Sequence, residues 1–388
     1  MVFRIIKYQP RQLTTKMTPR LALILALMLP CALIASDNDQ KKKCPLFSSS
    51  EALELVIQMD MHKVLNDKSE EPEYSPALLI HNISDKHIQT FNIKIRARGK
   101  TRRIADICEF PPLKINFAKK STVNTVFEGQ DKIKMVTHCN ESEDYQNFAM
   151  LEYLSYKTYN TLTENSYRVR LVNVTYRDIR QKYPDITKSG FLIEDDELMA
   201  ERIRGKISEK KIWSSDSCDQ KAVDIFSVFQ FMIGNTDWWI HTRHNVDLVS
   251  LEDDKLVPIP FDFDGAGLLN TPYAVPSPQL PILNVRDRYF KNECFTTNYD
   301  HYEEIVSLFN SRRAAISQMI DEADFLDKKY RRSTMRYVDD FYEIINNEAD
   351  FTKYIIQNCD HMNRVPDRAP KRKNVRQLST HSGGTSQD

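Results

Sequence analysis

Apolar and polar positions change period several times along the chain, and the changes divide it. Between 50 and 65, Leu53, Leu55, Val56, Met59 and Val64 recur at roughly helical spacing behind serines able to cap, which predicts a helix. The acidic stretch 66–76, with its two prolines, breaks that pattern as a loop. Strand-forming runs follow at 76–81, 90–98, 112–117 and 131–137. In the second of these, Lys94, Ile95, Arg96, Ala97 and Arg98 alternate basic and apolar residues at period two, as a half-buried strand requires. Phe148, Leu151, Leu154, Tyr159 and Leu162 then make the apolar stripe of a long helix over 143–162. Two more strands are expected at 169–176 and 190–194. Ala222, Ile225, Phe226, Phe229 and Ile233 lie on one face of a helix over 220–233, with Asp216, Ser217 and Asp219 as candidate caps and Gly234 as the stop. Beyond it the pattern is helical, at 302–309, 312–323, 337–346 and 351–359.

This order predicts an α+β chain: a β-rich N-terminal lobe over about 77–195, then a mainly helical C-terminal lobe over about 196–363, with a cleft between them. The folded part spans 51–363. Residues 37–50 are polar and lysine-rich and read as a linker. The tail 364–388 is basic and then rich in Ser, Gly and Thr, and reads as disordered.

The first 36 residues have a different character. Arg4, Lys7, Arg11, Lys16 and Arg20 precede the apolar run 21–34, and small Ala35 and Ser36 follow it. That is the order of a secretory signal, with Met17 as an alternative start. An uncleaved signal anchor is the competing reading, and Cys31 raises lipid attachment, although Pro30 before it fits that poorly. The chain is therefore expected to be exported, to a periplasm, the cell surface or the extracellular space, and to touch membrane only through an uncleaved signal. Removal of the signal leaves Cys44, Cys108, Cys139, Cys218, Cys294 and Cys359. That even number suits disulfides in an oxidising compartment, and the sequence leaves all fifteen pairings open. No C-x-x-C occurs, which argues against zinc and thiol-redox chemistry. Asn82, Asn140 and Asn173 lie in N-x-S/T sites. With 388 residues, 41% of them hydrophobic, the chain can bury one large two-lobed core. Its formal net charge of zero argues against binding nucleic acid through phosphates. Nine glycines, none in a G-x-G-x-x-G, argue against a Gly-rich phosphate loop.

Candidate chemistry concentrates between 233 and 267. There the chain reads IGNTDWWIHTRHN and, after a short hydrophobic stretch, VPIPFDFDGAG. An Asp and an Asn flank a loop after a helix, and Asp-Phe-Asp-Gly follows near a strand end. This order resembles a kinase catalytic loop followed by a metal-binding strand end. Weaker landmarks precede it: RARGKTRR (96–103), PPLKINF (111–117), the helix EYLSYKTYNTLT, VRLVNVTY (169–176) and GFLIEDD (190–196). Over roughly 90–270 the chain thus resembles the spore-coat CotH kinase family, a group of secreted atypical protein kinases. The resemblance implies a two-lobed protein-kinase-like fold and Mg²⁺- or Mn²⁺-dependent transfer of a phosphoryl group from ATP, or another nucleotide, to the hydroxyl of a protein substrate.

Phosphoryl transfer is mostly positioning plus charge neutralisation. Asp237 is the candidate to orient the acceptor hydroxyl. Asn245, Asp262 and Asp264 are the candidate metal ligands, since Mg²⁺ takes hard oxygens. Residues two apart on a strand face one side, so Asp262 and Asp264 are both expected to face the cleft, with Phe263 packed behind. Lys134, held by Glu152, is expected to meet the phosphates. Lys114 is the rival lysine, Arg98 beside Gly99 a further phosphate contact, and Glu194 the acidic end of the following strand.

Plainer roles exist for the same residues. Asp237 can cap a turn, Trp238, Trp239 and Ile240 read as core, Lys134 can snorkel to solvent, and Glu152 can pair with Lys157. His241 and His244 read as loop-shaping or substrate-contacting rather than ligating. Two acids against an apolar layer, however, are costly without a cation. The alternatives to a phosphotransferase are a non-catalytic binding or coat protein on the same scaffold, and a metal-dependent phosphohydrolase.

Overall fold

A computed structural model of the chain describes residues 45–84, 86–212, 215–252, 254–292 and 302–358. The signal segment 1–36, the tail 364–388, Cys44, Cys294 and Cys359 lie outside them.

The described chain is an α+β structure whose first half is a closed barrel of seven strands: β1 (Leu53–Met59), β2 (Ser75–Ser84), β3 (His87–Ala97), β4 (Leu113–Phe117), β5 (Lys132–Val136), β6 (Val169–Asp178) and β7 (Ile186–Ile193). The order around it is β1-β2-β3-β4-β5-β7-β6. All pairs are antiparallel except the closing one, in which β1 runs parallel to β6 with Leu53 opposite Val172 and Met59 opposite Asp178.

β1 corrects the helix expected over 50–65. Leu53, Leu55, Ile57 and Met59 alternate inward at period two and are buried inside the barrel. Val56 on the opposite face is also apolar, and this gave the stretch a false helical spacing. Only α1 (Met61–Leu65) is helical there, with the side chain of Asp60 accepting from the Lys63 amide at 3.1 Å. The expected linker is also partly packed: Leu46 is fully buried in the barrel core.

Facing residues Leu79, Phe91, Ile93, Ile95, Leu113, Ile115, Phe117, Ile133, Met135, Val172, Val174 and Leu192 fill the barrel. On β5 and β7 the neighbouring positions Val136, Phe191 and Ile193 point the other way and join a second core. That core is organised by α2 (Glu143–Leu162), which packs on the outside of the barrel and against the helical half. The helical half comprises α3 (Asp196–Arg202), α4 (Gln220–Ile233), α5 (Glu303–Asp321), α6 (Lys328–Asn346) and α7 (Glu348–Phe351), the last running into a π-helical turn, Thr352–Ile356. α2 and α4 match their expected bounds. α4 is capped by Asp219, whose side chain accepts from the Ala222 amide, and is ended by Gly234 in the left-handed region at φ 64°. α5 is continuous where two helices were expected, and α6 starts nine residues before the expected 337. A small antiparallel sheet in the order β10-β9-β8, formed by β8 (Lys206–Ile207), β9 (Val246–Ser250) and β10 (Leu256–Pro260), brings 245 and 261 side by side.

Candidate functional site

The segment after β10 is the meeting point. The amide of Phe261 donates to the Asn245 carbonyl at 3.1 Å, and the amide of Asp262 donates to the Tyr156 hydroxyl at 2.9 Å. β10 has ended at Pro260, and Asp262 takes a left-handed φ of 61°, a conformation that Asp tolerates better than most residues. Strand alternation therefore does not orient the two acids. Asp262 and Asp264 nevertheless face one side, because both meet the same guanidinium. Phe263 packs behind, fully buried against Tyr156 and Phe229.

That guanidinium belongs to Arg102, which the sequence pattern did not single out. It lies on the short 3₁₀ turn Thr101–Arg103, in the long connection between β3 and β4. Its Nη2 donates to Asp262 Oδ1 at 2.6 Å, its Nη1 to Glu152 Oε2 at 3.0 Å, and its Nε lies 3.1 Å from Asp264 Oδ2. Arg102 is 8% exposed and Glu152 1%. Burial opposes the Arg102 charge, but Asp264, Glu152 and Asp262 outweigh it and raise the pKa well above the usual value. Burial likewise raises Glu152, against the pull of Arg102, and raises Asp264 to about 7.

The expected Lys134–Glu152 pair is not formed. Both side chains line one small cavity, with Arg98, Tyr156, Tyr167, Ile193, Phe261 and Asp262, that has room for about one water. Lys134 instead pairs with Asp196, the first residue of α3, and its Nζ lies 5.5 Å from the centre of the Tyr167 ring. The Tyr167 hydroxyl sits 3.0 Å from Asp196 Oδ1 and 2.5 Å from Asp247 Oδ2. One phenolic proton cannot serve both carboxylates. Burial raises the pKa of Asp247, and a proton there would let Asp247 donate to the phenol oxygen while the phenol donates to Asp196. Lys114 stands directly opposite Lys134 across the β4–β5 ladder, and burial, then Lys134, lower its pKa.

Asp237 and Asn245, eight positions apart, are drawn together by a tight hairpin. Trp239 and His244 exchange both backbone hydrogen bonds, at 2.9 and 3.0 Å. Asn245, at φ 56°, donates its side-chain amide to the Asp237 carbonyl at 2.7 Å and to Oδ2 at 3.3 Å, and His244 Nε2 lies 2.8 Å from Asp237 Oδ1. Asp237 keeps 56% of its side chain exposed, so it is open to a substrate. A Cβ at Gly265 would stand 3.4 Å from the Asp237 Cβ, so this loop touches the Asp262–Asp264 segment. Beneath it, buried Lys291 donates to the carbonyls of Thr236 and Trp238, with Nζ 3.5 Å from the Trp239 ring centre. Burial lowers its pKa well below the usual lysine value, and Asp237 opposes that shift. Trp238 and Ile240 are core, as their plainer reading held.

Glu194 lies apart from this constellation. It is 1% exposed and accepts from Arg202 Nε and Nη2 at 2.9 Å each, and from the Arg168 amide at 3.0 Å, which ties the end of β7 to α3.

The donor set suits a hard divalent cation. It offers Asp262, Asp264 and Glu152, whose Oε1 is buried without a hydrogen-bond partner. Among the described residues, no three Asp, Glu, His or Cys side chains already converge as a metal cage. A cation here would therefore need phosphate oxygens or water to complete its shell. The Cys108–Cys139 disulfide fastens the far end of the Arg102 connection to the loop after β5. No described helix is long and apolar enough to cross a membrane. No protein-family profile matches the chain, and no curated protein matches it significantly in sequence.

Proposed function

We propose that the chain is an exported, CotH-like phosphotransferase with a kinase-like arrangement of its barrel and helical halves. The observation that carries this reading is the contact of the Asp237–Asn245 hairpin with the Asp262–Asp264 segment, beside a basic barrel face bearing Arg98, Lys114 and Lys134. Phosphoryl transfer needs those parts in that proximity. Asp237, exposed and aligned by His244 and Asn245, would accept the proton of a protein hydroxyl. Lys134, Lys114 and Arg98 would meet the phosphates of ATP or another nucleotide. Asp262 and Asp264, with Asn245 beside them, would hold Mg²⁺ or Mn²⁺, which when bound neutralises phosphate charge. The disulfide supports an oxidising, exported setting.

Phosphate incorporation from ATP with Mg²⁺ or Mn²⁺ tests the reading. Asp237→Ala should lower it about 10²–10⁴-fold, the usual worth of a positioned acid–base group. ATP with metal should raise the melting temperature of the wild type more than that of Asp262→Ala. Phosphorylation that survives Asp262→Ala would overturn the metal assignment.

One observation favours a second reading, a non-catalytic binding or coat protein on the same scaffold. The cavity beside Lys134 admits about one water, and Lys134 itself is already paired with Asp196. A melting temperature that no nucleotide or divalent cation shifts would select it.

A further inference from the structure

Three carboxylates, Glu152, Asp262 and Asp264, share a single guanidinium, that of Arg102, so the group carries more negative than positive charge. Glu152 is 1% exposed and lines the small cavity, and its Oε1 is buried without a hydrogen-bond partner. A buried carboxylate oxygen left unsatisfied is costly, and a second cationic or donor group would relieve it.

The way Arg102 is mounted matters as much as what it touches. It is carried by neither the barrel wall nor a helix. Its turn follows Gly99, which takes a left-handed φ of 88° that disfavours side chains, and precedes the disulfide-anchored Cys108. The tip is held from outside by Arg103, which donates to the carbonyls of Gly99, Ser69 and Glu70. These bonds are exposed to solvent and individually weak. The acids, by contrast, sit on α2 and on the segment anchored by β10. A loop thus delivers a positive charge into an acidic cluster carried by α2 and the segment after β10.

We propose that Arg102 is a tethered internal cation that occupies the Glu152–Asp262–Asp264 cluster, and that a divalent cation displaces it there, with Glu152 as one of the ligands. The idea rests on the metal assignment in the proposed function but not on phosphoryl transfer. It makes the β3–β4 connection a gate: while Arg102 is in, it partly offsets the cluster's charge and closes the site; when a metal takes its place, the arm and its charge are freed.

The test uses the full chain without nucleotide, so it stands apart from catalysis. Mn²⁺ binding is measured by calorimetry on wild type, Arg102→Met and Arg102→Lys. Arg102→Met, which keeps bulk and removes charge, should bind Mn²⁺ about tenfold or more tighter than wild type, because a competing unit charge at contact distance has gone. Arg102→Lys should stay near wild type. Binding in Arg102→Met no tighter than in wild type overturns the proposal. Because that variant could misfold with three acids unopposed, hydrogen exchange on the wild type gives an independent reading. Saturating Mn²⁺ should speed exchange of amides 99–107 as the arm is released, and unchanged or slowed exchange overturns the proposal. Tighter Mn²⁺ binding in Arg102→Met, with no phosphate transfer by the wild type in the ATP assay, would leave the gate standing and sink the phosphotransferase reading instead.

Discussion

Glu194 gives a sharp separation between a structural and a nucleotide-binding role, and Glu194→Ala is the perturbation. In the native chain its carboxylate accepts two bonds from Arg202 and one from the Arg168 amide, and it is 1% exposed. Removing one partner of a buried ion pair costs about 3–5 kcal/mol. The lower end applies here. Arg202 retains 25% side-chain exposure and still donates to the carbonyls of Glu164 and Ser166, so its charge is not stranded. A loss of about 3 kcal/mol in a domain of this size lowers the melting temperature by roughly 5 °C. Urea denaturation followed by circular dichroism measures the free energy, and a thermal scan with and without ATP and Mn²⁺ measures ligand linkage. The variant should be less stable, with an ATP-dependent shift equal to that of the wild type. A loss under about 1 kcal/mol with the shift abolished would refute it, and would return Glu194 to the nucleotide pocket.

Two further perturbations probe the scaffold. His138 is buried against Phe110 and Tyr176, and burial, then Lys188, lowers its pKa to about 4. An unfolded histidine protonates near 6.5, so the unfolded chain binds the extra proton first. Stability from this group is complete above about pH 6.5 and is lost as pH falls towards 4, by up to roughly 3 kcal/mol. His138→Phe should flatten the stability profile in that window, and an unchanged slope would show that other groups set it. A Cβ at Gly190 would meet the Val136 carbonyl at 2.5 Å, with backbone that cannot yield. Gly190→Ala should therefore cost about 1–3 kcal/mol in urea denaturation, and a neutral result would mean that β5 and β7 are further apart than described.

Legibility in the sequence followed the range of the interactions involved. α2 and α4 were readable because each carries its stripe and, in α4, its cap and glycine stop within a few residues. β1 was misread where both faces of a strand are apolar, so that a period of two and a period near 3.6 fit the same letters. α5 was divided because Asn310 and Ser311 interrupt its pattern, although both lie on a continuous helix. The closing β1–β6 pair joins residues more than a hundred positions apart, and no local signal announces it. The site divided in the same way. The Asp237–Asn245 and Asp262–Asp264 motifs were visible as short strings. Arg102 was not, since its partners lie 50 and 160 residues away and its neighbours are other basic residues. The one available signal was physical: the two acids demanded a cation, and the basic run 96–103 was one of several that could supply it.

Closure of the barrel also constrains how another protein could meet this half of the molecule. Every one of its seven strands is paired on both sides over at least part of its length, so no strand is left as a whole free edge. A peptide finds no full-length edge on which to add as an eighth strand, which narrows the commonest backbone-driven route of docking on a sheet. It also narrows the commonest route to edge-to-edge aggregation. Whatever polypeptide this half contacts must be recognised by side chains and connecting loops. The loop carrying Arg102 is one of them, so a partner that pulled on it would be felt at the acidic cluster.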